Sequence, residues 1–427
     1  MPLLRSIYKT AIVGAGTTGL ALAGFLKADG HAVELFERFE TPRPLGAGLL
    51  LQPSGLAVLA RLGLDDKLIA LSAPVHHLYG ETQCGTVIFD LDYRSLAPHL
   101  FGLGTHRASL FQVLYDHVVS LGVPIHTGCD AVETHTHADG QMSLRLAGGR
   151  DAGPFDLIID ASGRHSKLAL RHGAIAHDTP YPYAALWGVV HDLEGFSKDH
   201  LLQRYDAARV MIGTLPLGQT PTDPRPHMAF FWSLPARDRT KVHAAGLATW
   251  QEGVTRYWSQ MAPFVAQFAD FDQLTFAEYG HRVMKRWHDG RLVFTGDAAH
   301  PISPQLGQGA NLGLCDALIL SEALSRSATP EDAIAAYSRA RKAHLTFYQI
   351  ASRWMTPFFQ SDQTLAPWVR DRTFGLMCRM PWMKQEMLRT LSGIKTGLFS
   401  HLDPGDWHAP YRLRPGASPS GSIIDRT

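Results

Sequence analysis

Two groups of glycines, each with an acid, mark the residues best suited to chemistry. Gly14, Gly16 and Gly19 stand in the spacing Gly-x-Gly-x-x-Gly, with Ala15 and Thr18 between them, and Glu37 follows 18 residues after Gly19. Far along the chain, Gly296-Asp297 is followed by Pro304, Gly307, Gln308, Gly309, Ala310 and Asn311. Glycine lets the backbone approach a ligand where a side chain would block it. A helix that starts at such a loop presents unpaired N–H groups with partial positive charge. The first group suits a pyrophosphate at a helix start, with Glu37 accepting hydrogen bonds from ribose hydroxyls. The second suits a large cofactor with a polyol and an electron-rich end. There Asp297 accepts from hydroxyls, and the helix start favours negative charge on a ring.

The elements needed to position these residues are legible. Thr10–Val13 reads as an apolar strand, Leu20–Ala28 as a helix and Ala32–Phe36 as a second strand, which is the context the dinucleotide fingerprint requires. Arg38 and Arg43 follow in a turn-rich loop, where guanidinium forks can match phosphate oxygens. Gln52–Leu62 reads as a helix, and Val75–Tyr93 as a strand pair outside the dinucleotide unit. An amphipathic helix opens at His106-Arg107, carries Gln112 and runs to about Ser120. Val123–Thr127 reads as a strand and Ala131–Ala147 as a hairpin. Phe155–Asp160 reads as one buried strand leading into the Ser162-Gly163 turn. From 180 to 280, aromatic and β-branched residues between Pro- and Gly-rich turns predict an antiparallel sheet with one helix, Leu247–Met261. Trp187, Tyr205, Phe231 and Trp232 are its candidates for the wall of an apolar cavity. A buried strand, Arg291–Thr295, precedes the second glycine group, and a buried helix, Leu312–Leu320, follows it. Beyond Pro330 the pattern is helical, and from Pro415 it is polar and frayed.

Composition narrows the class. Forty basic and 39 acidic residues leave a net charge of +1 over 427 residues, which gives no basic excess for nucleic acid. No apolar run is long enough to span a bilayer. Four scattered cysteines without CxxC spacing predict a reducing compartment, no zinc motif and no bound metal. With no signal peptide in view, the expected location is the cytoplasm. The oligomeric state is left open.

Over roughly residues 7–350 the sequence resembles the class A, single-component FAD-dependent aromatic monooxygenases of the p-hydroxybenzoate hydroxylase type. Gly296-Asp297-Ala298-Ala299-His300-Pro301 and Gly307-Gln308-Gly309-Ala310-Asn311 carry the resemblance most specifically. It implies an α/β fold: a discontinuous Rossmann-like FAD domain (1–74, 101–179, 281–330), an inserted, mostly antiparallel substrate sheet (75–100, 180–280) and a helical region (331–427). It implies that Asp297 binds the ribityl chain, that Gly307–Asn311 lies against the flavin ring, and that Arg107, assisted by Gln112, contacts FAD. It also implies NAD(P)H as a transient reductant, and hydroxylation of an aromatic or other hydrophobic small molecule with O2 through a flavin C4a-hydroperoxide. No catalytic acid or base is assigned. The middle motif departs from the family's Asp-Gly: Ser162 replaces the acid, and Ala169 stands where an arginine is usual, so donor choice is open. The Trp-x-Trp-x-Ile-Pro motif of flavin halogenases is absent. A flavin oxidase, dehydrogenase or reductase, or a flavin-binding protein without turnover, are the alternatives. No second GxGxxG unit points to a separate nicotinamide domain.

Overall fold

Residues 7–43, 47–220 and 222–402 are described by a computed structural model. Its central sheet is built around Lys9–Val13, in which Ala11 and Ile12 are fully buried. Ala32–Phe36 pairs with one side of this strand and Leu157–Asp160 with the other, both parallel. Leu292–Phe294 lies parallel to Leu157–Asp160, Ile125–His126 lies beyond Ala32–Phe36, and His288–Asp289 closes the edge antiparallel. Continuous apolar strands such as these require cover on both faces. Helices Thr17–Ala28, Arg107–Ser120 and Gly309–Arg326 cover one face, and strands Ala131–Thr136, Met142–Leu146 and Asp151–Phe155 cover the other.

Register sets the site. Phe36, Val13, Asp160 and Phe294 stand side by side across four parallel strands. The residues after them are Glu37, Gly14, the Ser162-Gly163 turn and Gly296-Asp297. Four motifs, from Gly14 to Asp297 in sequence, therefore leave one carboxyl edge of one sheet, where open α/β sheets bind ligands.

A second sheet is antiparallel: Ala131–Thr136, Met142–Leu146 and Asp151–Phe155. This corrects the single strand expected at Phe155–Asp160. The chain turns at Asp156, whose carboxylate accepts from Lys9 N at 2.8 Å, and only Leu157–Asp160 enters the central sheet.

The large sheet has seven strands in the order Thr275–Met284, Ile175–His191, Asp223–Pro235, Val210–Thr220, His200–Asp206, His77–Thr82, Val87–Asp92. All its pairings are antiparallel except His200–Asp206 on His77–Thr82, which is parallel. Its outer face is covered by three short helices, Arg239–Ala245, Leu247–Tyr257 and Ala262–Val265, rather than by the one helix expected. A small sheet of Gly48–Leu51, Gly102–His106 and Ala73–Val75 joins the large sheet to the rest. There Gly104 has no alternative: a Cβ would fall 1.9 Å from Pro216 O. Helices Pro330–Phe359, Leu365–Arg379 and Pro381–Leu391 complete the mixed α/β fold. Among the described residues no helix is long and apolar enough to cross a membrane.

Candidate functional site

The three glycines of the first loop do different work. Gly14 adopts φ +103°, and a Cβ there would lie 2.6 Å from Ala161 O. A Cβ on Gly19 would meet Gly14 O at 2.0 Å. Both are required by packing. Gly16 is different: a Cβ there meets nothing within 4 Å, so its backbone faces open space just ahead of helix Thr17–Ala28. Thr18 is a wedge, since Cβ atoms on Gly296 and Gly313 would come within 2.7 and 2.2 Å of its Oγ1. It holds the first loop against the second. Glu37 is buried and accepts from Ala15 N at 2.8 Å and Phe39 N at 3.0 Å. Arg38 and Arg43 are both exposed and lie against the Phe39 ring, 4.7 and 5.1 Å from its centroid.

On the second loop Asp297 is exposed, and the nearest atom to a Cβ on Gly309 would be Asp297 Oδ1 at 3.9 Å. The two therefore face one opening. Gly307 takes φ +60° after the turn Pro304–Leu306. Gln308 and Asn311 point the other way, into the protein. Gln308 Nε2 donates to Leu391 O at 2.6 Å. Asn311 Oδ1 accepts from Gln52 N at 2.9 Å, and its Nδ2 donates to Gly307 O at 2.8 Å. Their side chains brace the loop, leaving its backbone, with half-buried Ala310, toward the opening. The side chains of Gln308 and Asn311, expected as ligand contacts, thus turn inward, and only their backbone is left for a ligand.

Arg107 lies across from Asp297. It is accessible to solvent, yet deep enough that burial pushes its guanidinium pKa down, against the pull of Asp297 and Tyr279. Accessibility at that depth means that it lines a recess. Gln112 does not join it: five residues on, it is turned about 140° around the helix, is exposed and donates to Asp116 at 2.6 Å.

Sequence reading missed the groups that lock these loops together. Asp316 is fully buried and accepts from Gly296 N at 2.8 Å, His300 Nε2 at 2.6 Å and Arg341 Nε at 2.7 Å. Burial, the largest single influence, favours its acid form. His300 and Arg341 together outweigh burial and hold the carboxyl below the usual carboxylate range. Arg282, also buried, donates to Ala298 O at 3.0 Å, Arg164 O at 2.7 Å and Asp178, tying both later loops to the large sheet. The acid missing at Ser162 has a counterpart two residues earlier. Asp160 is buried, accepts from Ser162 N at 3.0 Å and from the Ser166 hydroxyl, and is pushed upward by burial against those bonds. Ala169, at the usual arginine position, is fully buried.

The inner face of the large sheet carries Trp187 and Phe231, cross-strand partners with ring centroids 4.7 Å apart. Trp187 Nε1 donates to Tyr279 Oη at 2.7 Å, and Tyr279 lies within the field of Arg107. Burial pushes the Tyr279 phenol up to about 12. Two expected wall residues are corrected. Trp232 follows Phe231 on one strand, so the side-chain alternation of a strand sends it to the outer face, where it stacks on Trp250. Tyr205 shares the inner face but is buried beneath Phe359 and the Arg370 guanidinium, with its hydroxyl on Gln203 Oε1.

These positions suit FAD: a backbone opening at Gly16 ahead of a helix start, a buried ribose-type acid, and a second opening bounded by Asp297, Gly309 and Arg107. The comparisons agree. The FAD binding domain family matches residues 8–348. The chain is 27% identical to the putative FAD-dependent monooxygenase YetM of Bacillus subtilis (strain 168), over 77% of this chain and 88% of that one. It is also 27% identical to 3-amino-4-hydroxybenzoate 2-monooxygenase of Streptomyces cremeus, over 86% and 96%. In fold it is similar to the tetrameric form of 2-methyl-3-hydroxypyridine-5-carboxylic acid oxygenase, with a TM-score of 0.75 and 21% identity over 90% and 96% of the two chains. With the loops, their register and the family match in agreement, the chain belongs to the FAD binding domain family, as a class A FAD-dependent monooxygenase.

Proposed function

We propose that this flavoprotein hydroxylates a small aromatic molecule, consuming NAD(P)H and O2. The observation that carries this reading is the Trp187–Tyr279 hydrogen bond, which joins an apolar, aromatic sheet face to the polar recess of Arg107, Asp297 and Gly309. FAD, when bound, supplies the redox chemistry, accepting hydride from the nicotinamide and activating O2. The rest falls to the chain. Gly14–Gly19 and Glu37 hold the pyrophosphate and ribose, with Arg38 and Arg43 beside them. Asp297 holds the ribityl hydroxyls, Arg107 offsets cofactor charge, and the N–H groups that open helix Gly309–Arg326 favour negative charge on the reduced ring. Tyr279 accepts from Trp187 and remains a phenol at neutral pH, so its own proton is available for a substrate oxygen. Trp187 and Phe231 exclude water, which limits loss of reducing power as hydrogen peroxide. The named substrates of two relatives, an aminohydroxybenzoate and a hydroxypyridine carboxylic acid, support an aromatic ring as the substrate class.

We read 1–74, 101–179 and 281–330 as the FAD-binding part, 75–100 and 180–280 as the substrate part, and the described portion of 331–427 as a helical cover; the tail expected from Pro415 lies outside the described residues. Four free thiols fit a reducing cytoplasm. The test is turnover of a panel of phenols, aminobenzoates and hydroxypyridines by holoprotein under oxygen-18 gas. A ring product carrying one oxygen-18 atom is expected. FAD that is reduced by NAD(P)H and reoxidised, with no labelled product from any aromatic compound, would favour an oxidase or reductase instead.

A further inference from the structure

A second cluster of chemistry-bearing groups lies outside the FAD recess, at the far end of the same inner sheet face. His191 ends strand Ile175–His191, and His227 is its direct cross-strand partner in Asp223–Pro235. Their rings are 4.8 Å apart between centroids. Asp223 is four residues before His227, with its Oδ2 3.6 Å from His227 Nε2. One nitrogen of each imidazole and one Asp223 oxygen all lie within 4.8 Å of one another. His227 is buried and the other two are half-buried. Both imidazoles also keep a buried Nδ1 without a hydrogen-bond partner. Two neighbouring imidazoles with unspent buried nitrogens are costly unless something uses them.

We propose that His191, His227 and Asp223 form a binding site for a divalent first-row metal ion, zinc foremost, that clips strand Asp223–Pro235 onto strand Ile175–His191. Two imidazoles and one carboxylate are a recurrent zinc donor set, with the fourth position left to water. Parts of the surrounding structure are already arranged for it. Gln267 grips the His191 backbone on both sides, donating to its carbonyl at 3.1 Å and accepting from its N–H at 2.8 Å. Arg225 N donates to Asp223 Oδ1 at 3.0 Å, which orients the carboxylate with Oδ2 toward His227. Such outer hydrogen bonds set ligand geometry at metal sites. The Arg225 guanidinium also forks onto Asp223, with Nη2 at 2.6 Å from Oδ2, and so competes with an ion for that oxygen. That pair is exposed on the arginine side, and exposed pairs are weak enough for a dication to displace. The site adjoins His106, whose helix begins with Arg107 and which lies within the field of His227.

The test uses FAD-loaded full-length protein, treated with EDTA and desalted, then dialysed against zinc chloride at graded concentrations. One zinc per chain is expected, with a thermal midpoint that rises with zinc. His191→Ala and His227→Ala should each weaken binding more than about tenfold, the loss that disturbing even an outer partner of a ligand produces. Asp223→Asn and Arg225→Ala each break the exposed pair but give opposite results: the first weakens zinc binding, the second retains or tightens it. A merely structural Asp223–Arg225 pair would make these two variants alike. Cobalt, used as an optical probe, should give a ligand-field band in wild type and none in His227→Ala. Wild type that binds no zinc, or variants that bind it equally, would overturn the site.

Discussion

At residue scale, Glu37 spends one carboxylate oxygen on Ala15 N and the other on Phe39 N. The acid that would hold ribose therefore also shapes the loop that would hold phosphate. Losing a charge-assisted hydrogen bond costs roughly 1.5–3 kcal/mol, so Glu37→Ala should weaken FAD binding about tenfold to a hundredfold. Flavin fluorescence titration of apoprotein measures this, and an unchanged dissociation constant would leave Glu37 a loop brace alone. Gly309 permits a cleaner separation. A Cβ there clears every protein atom except Asp297 Oδ1 at 3.9 Å. Gly309→Val should therefore leave the unfolding midpoint of the apoprotein unchanged while cutting FAD affinity, by the roughly 1–3 kcal/mol typical of overpacking. In the holoprotein that remains, the flavin potential should fall, since a displaced helix start stabilises reduced-ring charge less. Asp297→Ala should weaken retention with less change in potential. Equal losses of apoprotein stability and FAD affinity in Gly309→Val would make the loop a packing corner.

At the scale of elements, alternation along Asp223–Pro235 separates two adjacent aromatics. Trp232 belongs to the outer core with Trp250, and Phe231 to the inner face with Trp187. Trp232 is partly buried against that core, so Trp232→Ala should cost less than the ~3–5 kcal/mol of a fully buried tryptophan, with little change in KM for the aromatic substrate. Trp187→Phe removes the indole N–H from Tyr279 and should raise the share of NAD(P)H recovered as hydrogen peroxide while sparing stability. Comparing the urea midpoint with the peroxide fraction tests both, and a reversed pattern would exchange the two faces. Helix Gly309–Arg326 supplies a third case. Its Asp316 meets Arg341 of the long helix in a fully buried pair. Breaking such a pair typically costs 3–5 kcal/mol because one charge is left unpaired. Arg341→Met should therefore lower the urea midpoint sharply and loosen the Gly296 loop, read as faster FAD loss.

At the scale of the molecule, the same network gives stability a pH dependence. His344 is buried, accepts at Nδ1 from the Arg341 guanidinium, and donates from Nε2 to Gly393 O at 2.9 Å. Burial first, and Arg341 second, push its pKa well below its ordinary value. The unfolded chain thus binds a proton at a higher pH than the native one does. Where the unfolded state holds more protons, stability rises with pH. The contribution is complete above about 6.5 and is lost as pH falls from there toward the lowered folded value. Asp316 adds a second loss in the same direction: its carboxyl is held low in the folded state, so stability is given up as pH falls through the ordinary aspartate range. Urea midpoints measured from pH 8 to pH 4 should decline, and His344→Gln should flatten the upper part of that decline. A slope unchanged by the substitution would assign it to other histidines.

Local signals sufficed for the central sheet. Glycine spacing, an acid after the second strand and continuous apolar runs each depend on neighbours within a few residues, so Gly14–Gly19, Glu37 and Gly296-Asp297 stand out in the sequence as cofactor-site candidates, and the strands and helices around them are legible with them. Alternation also separates Phe231 from Trp232 in principle, but which of the two faces the recess depends on what covers each side of the sheet. Gln308 and Asn311 belong to a glycine-rich motif, yet their side chains turn inward because Gln52 and Leu391, far away in sequence, stand there to satisfy them. Asp316, Arg282 and Tyr279 carry no spacing signature, because their partners are brought by strand register and helix packing. The same holds for His191 and His227, 36 residues apart and joined only by cross-strand pairing. Chain-local chemistry names the cofactor and its loops; three-dimensional pairing decides which side chains reach the recess, which brace it, and where a second site can form.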